Sequence, residues 1–201
     1  MQSNGIMLRK NDQMNKPNIK DLLKTRILLL DGAMGTLIQK HKLDENGYRG
    51  EIFKDFMYDL KGNNDLLSIT QPQIIKDIHV QYLEAGSDII ETNTFNANRF
   101  SMADYHMEDL VYDLNVKSAN IAIEAAKEYT QKTPEKPRYV AGSVGPTNKA
   151  ASISPDVNDP GYRSVTFDEL VEGYSGQIEG LIDGGVCSFN LCVFIDCCNG
   201  C

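Results

Sequence analysis

Short apolar runs that break into small polar turns alternate along this chain with longer amphipathic stretches. That alternation restricts it to a parallel sheet covered by helices. Residues 26–30 (RILLL) run into Asp31-Gly32-Ala33-Met34-Gly35-Thr36, the pattern of a buried parallel strand and its exit loop. A second run, residues 87–95, passes from Ile89-Ile90 into Glu91-Thr92-Asn93-Thr94. A third, residues 138–146, ends at Ser143 and Gly145-Pro146, and a fourth candidate strand lies at 191–195. Between the first two, Ile74, Ile75, Ile78, Tyr82 and Ala85 recur at helical spacing. Thr70 and Gln73 stand at capping-box distance there, Pro72 suits the first turn and Gly86 the stop. Leu110, Leu114, Ile121 and Ala125 mark a second helix that ends before the proline-containing linker 133–137. Thr166 and Glu169 repeat the capping spacing, and Leu170, Tyr174, Ile178, Leu181 and Ile182 carry a third helix to Gly184-Gly185. The segment 38–66 is charged and irregular and reads as an excursion on one face. From this pattern alone, a barrel and an open doubly wound sheet fit equally.

Bulk properties narrow the function. Hydrophobic residues make up 41% and charged residues 24% of the 201, as expected for one globular domain or most of a large barrel. The net charge of −8 and the lack of a basic run argue against nucleic-acid binding. The polar N-terminus holds no signal-peptide core and no run approaches membrane-spanning length, so the sequence predicts a cytoplasmic chain without a membrane partner. The first 186 residues contain no cysteine, which argues against a disulfide framework.

In parallel α/β folds, ligands bind at the carboxyl ends of the strands. Three such ends here are polar: Asp31 with Gly32 and Ala33, Glu91 with Asn93, and Ser143. Far apart in sequence, they would meet at one rim and suit a small zwitterion, an acid facing its ammonium and glycine N–H groups facing its carboxylate. Taken singly, each has a plainer reading: Asp31-Gly32 as a turn, Glu91 as a solvated strand-end acid, Asn93 as a turn former and Ser143 as packing. Neither phosphate-loop spacing is present. His41, His79 and His106 share no ligand spacing, His79 reads as a surface or packing residue, and no Ser/His/Asp or Cys/His set is recognisable.

Taken together, the segments are more specific. Asp31-Gly-Ala-Met-Gly-Thr36, Gly62-Asn-Asn-Asp-Leu66, residues 82–96 (YLEAGSDIIETNTFN), residues 102–110 (MADYHMEDL), Ala141-Gly-Ser-Val-Gly-Pro-Thr-Asn148 and residues 154–160 (SPDVNDP) resemble the homocysteine-binding module of the cobalamin-dependent methionine synthases. The resemblance covers roughly residues 20–186. It implies the N-terminal half of a (β/α)8 TIM-type barrel, truncated, with residues 1–19 as a flexible lead-in and 187–201 as an atypical tail. It further implies that Asp31 holds the homocysteine amino group, that the N–H groups of Gly32 and Ala33 receive the carboxylate, and that the strand ends around Asn93 and Ser143 line the pocket. In that family zinc, held by three cysteines on later strands, binds the substrate sulfur as thiolate. The thiolate takes a methyl group from methylcobalamin, which is recharged from methyltetrahydrofolate, and folate, cobalamin and reactivation modules act as partners. A cation beside a thiol lowers its pKa and exposes the nucleophile.

The chain departs from that pattern at Cys187. Where the family has a second glutamate for the amine, this chain has Cys192. Cys197-Cys198 do not match the family's zinc cysteines, so no catalytic or metal-binding residue is assigned. The five cysteines Cys187, Cys192, Cys197, Cys198 and Cys201 leave three readings open: a damaged or mis-specified end, a metal-binding or redox element built on the C-x-x-C at 198–201, or an inert tail. The chain is accordingly expected to associate and to be inactive alone; a non-enzymatic binding module with a metal-holding tail is the alternative.

Overall fold

A computed structural model describes residues 17–151, 154, 156–186 and 188–191. The expected lead-in up to residue 16 and the cysteine tail, with its metal-binding and inert readings, lie outside these residues. The helices are α1 (Ile19–Leu22), α2 (Met34–Lys40), α3 (Glu45–Arg49), α4 (Leu67–Thr70), α5 (Pro72–Ala85), α6 (Arg99–Ala103), α7 (Val111–Lys132) and α8 (Phe167–Asp183); the strands are β1 (Ile89–Glu91), β2 (Tyr139–Val144) and β3 (Ser188–Leu191).

The strands pair in parallel in the order β1-β2-β3, with Ile90 opposite Val140 and Val144 opposite Leu191. Leu30 adds one parallel bridge to Ile89 on the far side of β1. Among the described residues each strand therefore joins the one before it, and the order never reverses as a doubly wound sheet requires. The connecting helices form one row, α5 against α7 and α7 against α8. Ile90 packs with Leu83, Ala122 and Ala125 on the helix side of the sheet, and Val144 with Ala119 and Leu181.

The first apolar run forms less strand than expected. Among the described residues it has a neighbour on one side only, and an acid supplies part of its pairing. Asp88 accepts the Leu29 N–H at 2.9 Å and the Arg26 guanidinium at 2.8 Å, while Asp88 and Ile89 both donate to the Leu29 carbonyl. Ile27 and Leu29 remain mostly exposed. Of the fourth candidate strand, Leu191 lies in β3, and residues 192–195 lie outside the described residues.

Capping divides between the two candidates. At α8 the box forms in full: Thr166 Oγ1 accepts from Glu169 N at 3.2 Å and Thr166 N donates to Glu169 Oε2 at 2.7 Å. At α5 it does not, because Thr70 closes the preceding short helix α4 and Gln71 takes the cap position without a side-chain bond. Gln73 donates to Asp77 instead, and the proline at the first turn is the surviving start signal. Gly86 ends α5 at φ +106°, in the left-handed region. The segment 38–66 is more than an excursion. Ile38, Leu60 and Leu66 are fully buried with Leu67 and Ile75, and Glu45 accepts the N–H groups of Leu60 and Lys61, both at 2.8 Å. His79 is fully buried in α5 as a packing residue; burial lowers its pKa to about 4, so it is held neutral. No helix among the described residues is long and apolar enough to cross a membrane.

The α7–α8 contact depends on glycine. A Cβ at Gly180 would lie 2.6 Å from the Tyr112 carbonyl oxygen, and one at Gly184 would lie 2.5 Å from the Ala119 Cβ. Gly180→Ala should therefore destabilise the chain by ~1–3 kcal/mol through overpacking, outweighing a helix-propensity gain of at most about 1 kcal/mol. Urea unfolding of the variant measures the sign; a gain in stability would show that the two helices can separate freely.

Candidate functional site

Parallel pairing brings the carboxyl ends of the Leu30 bridge, β1 and β2 to one rim. A cavity of ≈ 300 Å³ opens there, lined by Asp31, Gly32, Ala33, Glu91, Asn93 and Ser143 together with Asn64, Asp65 and residues 94–96. All six residues singled out in the sequence thus share one cavity. They divide into an acidic pole, a peptide pole and a scaffold.

Asp31 and Glu91 form the acidic pole. Asp31 Oδ1 accepts the Glu91 N–H at 3.0 Å, and Glu91 Oε2 accepts the Ser143 hydroxyl at 3.1 Å. Burial, reinforced by the nearby Glu91 carboxylate and opposed by the Glu91 N–H, lifts the Asp31 pKa to about 7. Among the described residues no cationic side chain lines the cavity. A cation delivered by a ligand would relieve this carboxyl.

The peptide pole is the turn into α2. The N–H groups of Gly32 and Ala33 donate to no other residue among the described residues. Ala33 holds φ +48°, a left-handed conformation that non-glycine residues rarely adopt. A Cβ on Gly32 would meet nothing within 4 Å, so there is open space beside this turn.

The scaffold is a closed chain of hydrogen bonds. Ser143 N donates to Thr92 Oγ1 at 3.0 Å, and Thr94 Oγ1 donates to the Ser143 carbonyl at 2.8 Å. The Thr94 proton being committed, the 2.6 Å contact between the two threonine hydroxyls runs from Thr92 to Thr94. Gln177, fully buried in α8, donates to the Thr94 carbonyl at 2.6 Å. Asn93 belongs to this scaffold more than to the ligand: its amide donates to the Asn64 carbonyl at 2.8 Å and to Ser68 Oγ at 3.2 Å. Asp65 Oδ1 holds the Asn96 N–H at 3.0 Å.

The sequence reading assigned no role to Asn64, Asp65, Thr92, Thr94 or Gln177. The run Gly62-Asn-Asn-Asp65 carried a signal, three polar residues directly before the apolar Leu66-Leu67. Gln177 carried none, being one polar residue on a helix whose tertiary neighbour is remote in sequence.

The raised pKa of Asp31 has a thermodynamic consequence. In the unfolded chain an aspartate titrates near 3.9. Its folded pKa is higher, so its contribution is fully present below pH 3.9 and is lost as pH rises through about 7. Asp31→Asn keeps an oxygen acceptor for the Glu91 N–H and removes the charge. It should raise stability at pH 8 by on the order of 2 kcal/mol, the advantage fading toward pH 4. Thermal unfolding at the two pH values tests this, and a variant less stable than the parent at pH 8 would refute it.

Residues 28–195 match the sequence profile of a homocysteine S-methyltransferase domain. The fold resembles that of the homocysteine methyltransferase MmuM from Escherichia coli. In its oxidised form the TM-score is 0.62 at 23% identity, over 85% of this chain and 55% of that one. In its metallated form the TM-score is 0.62 at 21% identity, over 84% and 54%. The chain thus spans about half the length of these structures. Because the profile runs from the first apolar run to the last, through every residue that lines the rim cavity, this chain belongs to the homocysteine S-methyltransferase family.

Proposed function

We propose that this chain supplies the substrate-anchoring first half of a (β/α)8 barrel in which a methyl group passes to the thiol of homocysteine, giving methionine, in the manner of the cobalamin-dependent methionine synthases. The observation that carries this reading is the pairing, in one cavity, of a carboxyl lifted to about 7 with the unpartnered N–H groups of Gly32 and Ala33. An α-amino acid presents the complementary pair of charges on one carbon.

In this reading Asp31 and the Ser143-held Glu91 take the ammonium, and the turn before α2 takes the carboxylate. With both ends fixed, Cα is held and two torsions, about Cα–Cβ and Cβ–Cγ, place the thiol. Zinc would supply the thiolate by stabilising charge on sulfur. Among the described residues no three His, Cys, Asp or Glu side chains gather to hold an ion. They fit the amino-acid end of the substrate and not the metal, so no step is derived through one. Methylcobalamin, recharged from methyltetrahydrofolate on further modules, would be the methyl source. Homocysteine binding, rather than turnover, is the property these residues account for.

Titrating L-homocysteine into the 201-residue chain by calorimetry tests the reading. An ammonium partner needs Asp31 ionised, so affinity should rise roughly tenfold from pH 6 to pH 8 as a carboxyl of pKa about 7 loses its proton. An affinity flat across this range, or equal binding of 4-mercaptobutyrate, which lacks the amine, would sink it. Gly32→Ala places a methyl in the open space beside this turn. It should weaken binding about tenfold, ~1.4 kcal/mol, with the unfolding midpoint unchanged.

A further inference from the structure

Among the described residues the sheet has two open edges, and they differ. At one end, Leu29 and Asp31 spend their peptide groups on β1 and Asp88. Peptide groups alternate in direction along a strand. Those of Leu28 and Leu30 therefore point off the opposite edge, where they bond to no described residue. The side chains there are apolar and uncovered: Ile27 is 85%, Leu29 55% and Leu30 45% exposed. At the other end, β3 has β2 as its one neighbour among the described residues. The helix before it, α8, packs on α7 through Gly180 and Gly184. Helical spacing puts Phe167, Val171 and Ile182 on the face turned away from α7, and all three are more than half exposed.

Charge divides the same way. Residues 167–183, the span of α8, hold five acids and no lysine or arginine. Residues 18–26, which lead into the first run, hold three basic residues and one acid. The helix of a βαβ unit runs back along the sheet, so Glu179 and Asp183 at the end of α8 stand level with Lys24 and Arg26 at the start of the first run. The two ends are complementary rather than alike.

An edge that keeps apolar side chains and unpaired peptide groups in water is a template for a further strand. We infer that each open end is covered by the other end of a second copy of this chain. Half a turn about the barrel axis sets the first run of one copy beside β3 of its partner, keeps every strand parallel and repeats the contact on the far side. The first run and β1–β3 supply four strands, so two copies complete the eight of a closed barrel as a symmetric dimer. The basic start of each copy then faces the acidic α8 of the other, which steers the two together in this register. The inference rests on the preceding reading for the half barrel and not for the ligand.

Sedimentation equilibrium of the full 201-residue chain over a range of concentrations is the test. The expected result is one association step that ends at twice the chain mass. Ile27→Glu and Val171→Glu each put a carboxylate into one end of the contact, at positions exposed in the single chain. Each should weaken the dimer more than about tenfold. An equal mixture of the two variants can form one contact from the unaltered ends, so it should associate more tightly than either variant alone. A chain that stays monomeric, a ladder of larger species, a Val171→Glu variant that dimerises like the parent, or a mixture no tighter than its components would overturn the proposal. Homocysteine titrated into the same samples separates the two readings. A dimer that binds no homocysteine removes the ligand reading alone, and homocysteine bound by a monomer removes this one alone.

Discussion

Parallel pairing is the constraint from which the rest of this site follows. A parallel strand must be reached by a crossover, so every strand leaves the sheet on the same side and every exit turn arrives at one rim. Register then decides the chemistry. Glu91 pairs with Ala141, and Ser143, two residues further on, faces the same way because side chains alternate across a strand. The hydroxyl therefore reaches the glutamate, whereas the intervening positions, Ile90 on one strand and Val140 on the next, turn to the helices. A slip of one residue in β1 would send the acid into the apolar layer, and one in β2 would turn Ser143 away from it.

Buried aspartates behave in two ways in this molecule. Asp88 lies beneath Arg26, with Lys136 at 3.9 Å. Burial would raise its pKa, but the Arg26 bond, the Leu29 N–H and these two positive charges win and hold it low. It is a structural acid that fastens the first run to the sheet. Among the described residues Asp31 and Asp65 have peptide N–H donors but no cation, and burial wins. A carboxylate kept without its counter-charge costs stability, and such a cost persists where a ligand supplies the missing charge. The contrast separates site from scaffold without reference to any relative.

Local signals carried the sequence reading furthest. Helical spacing, the Thr166–Glu169 box, Gly86 and the order of apolar runs were all legible, because each is written within one turn or one strand. So were the six residues of the rim, since parallel topology dictates where strand ends go. What was not legible depends on remote neighbours. The barrel and the doubly wound sheet were indistinguishable by pattern, and the order of pairing, unreversed among the described residues, could not be read from it. The box at Thr70 has the right letters, but the short helix ahead of it takes the residue. Asn93 reads as a turn former or pocket residue, and only Asn64 and Ser68, some 25 to 29 positions away, reveal that its amide is committed to the scaffold. The excursion looked irregular because Glu45 substitutes for regular pairing across fifteen residues.

The single bridge at Leu30 has a kinetic meaning. Asp31 and the peptide pole both hang from a segment held to the sheet by one bridge, the Asp88 bonds and the Glu91 N–H on Asp31, with Ile27 and Leu29 facing solvent. Segments of this kind open at a small fraction of the global unfolding free energy. Amide hydrogen exchange at residues 29–33 would then report local opening while β2 still reports the whole fold. A ligand clasped between Asp31 and Glu91 would bind only the closed form and act as a clasp across the edge. Part of its binding energy would be spent on ordering that edge, so affinity at this rim is governed as much by how often the first strand lets go as by the contacts made when it holds.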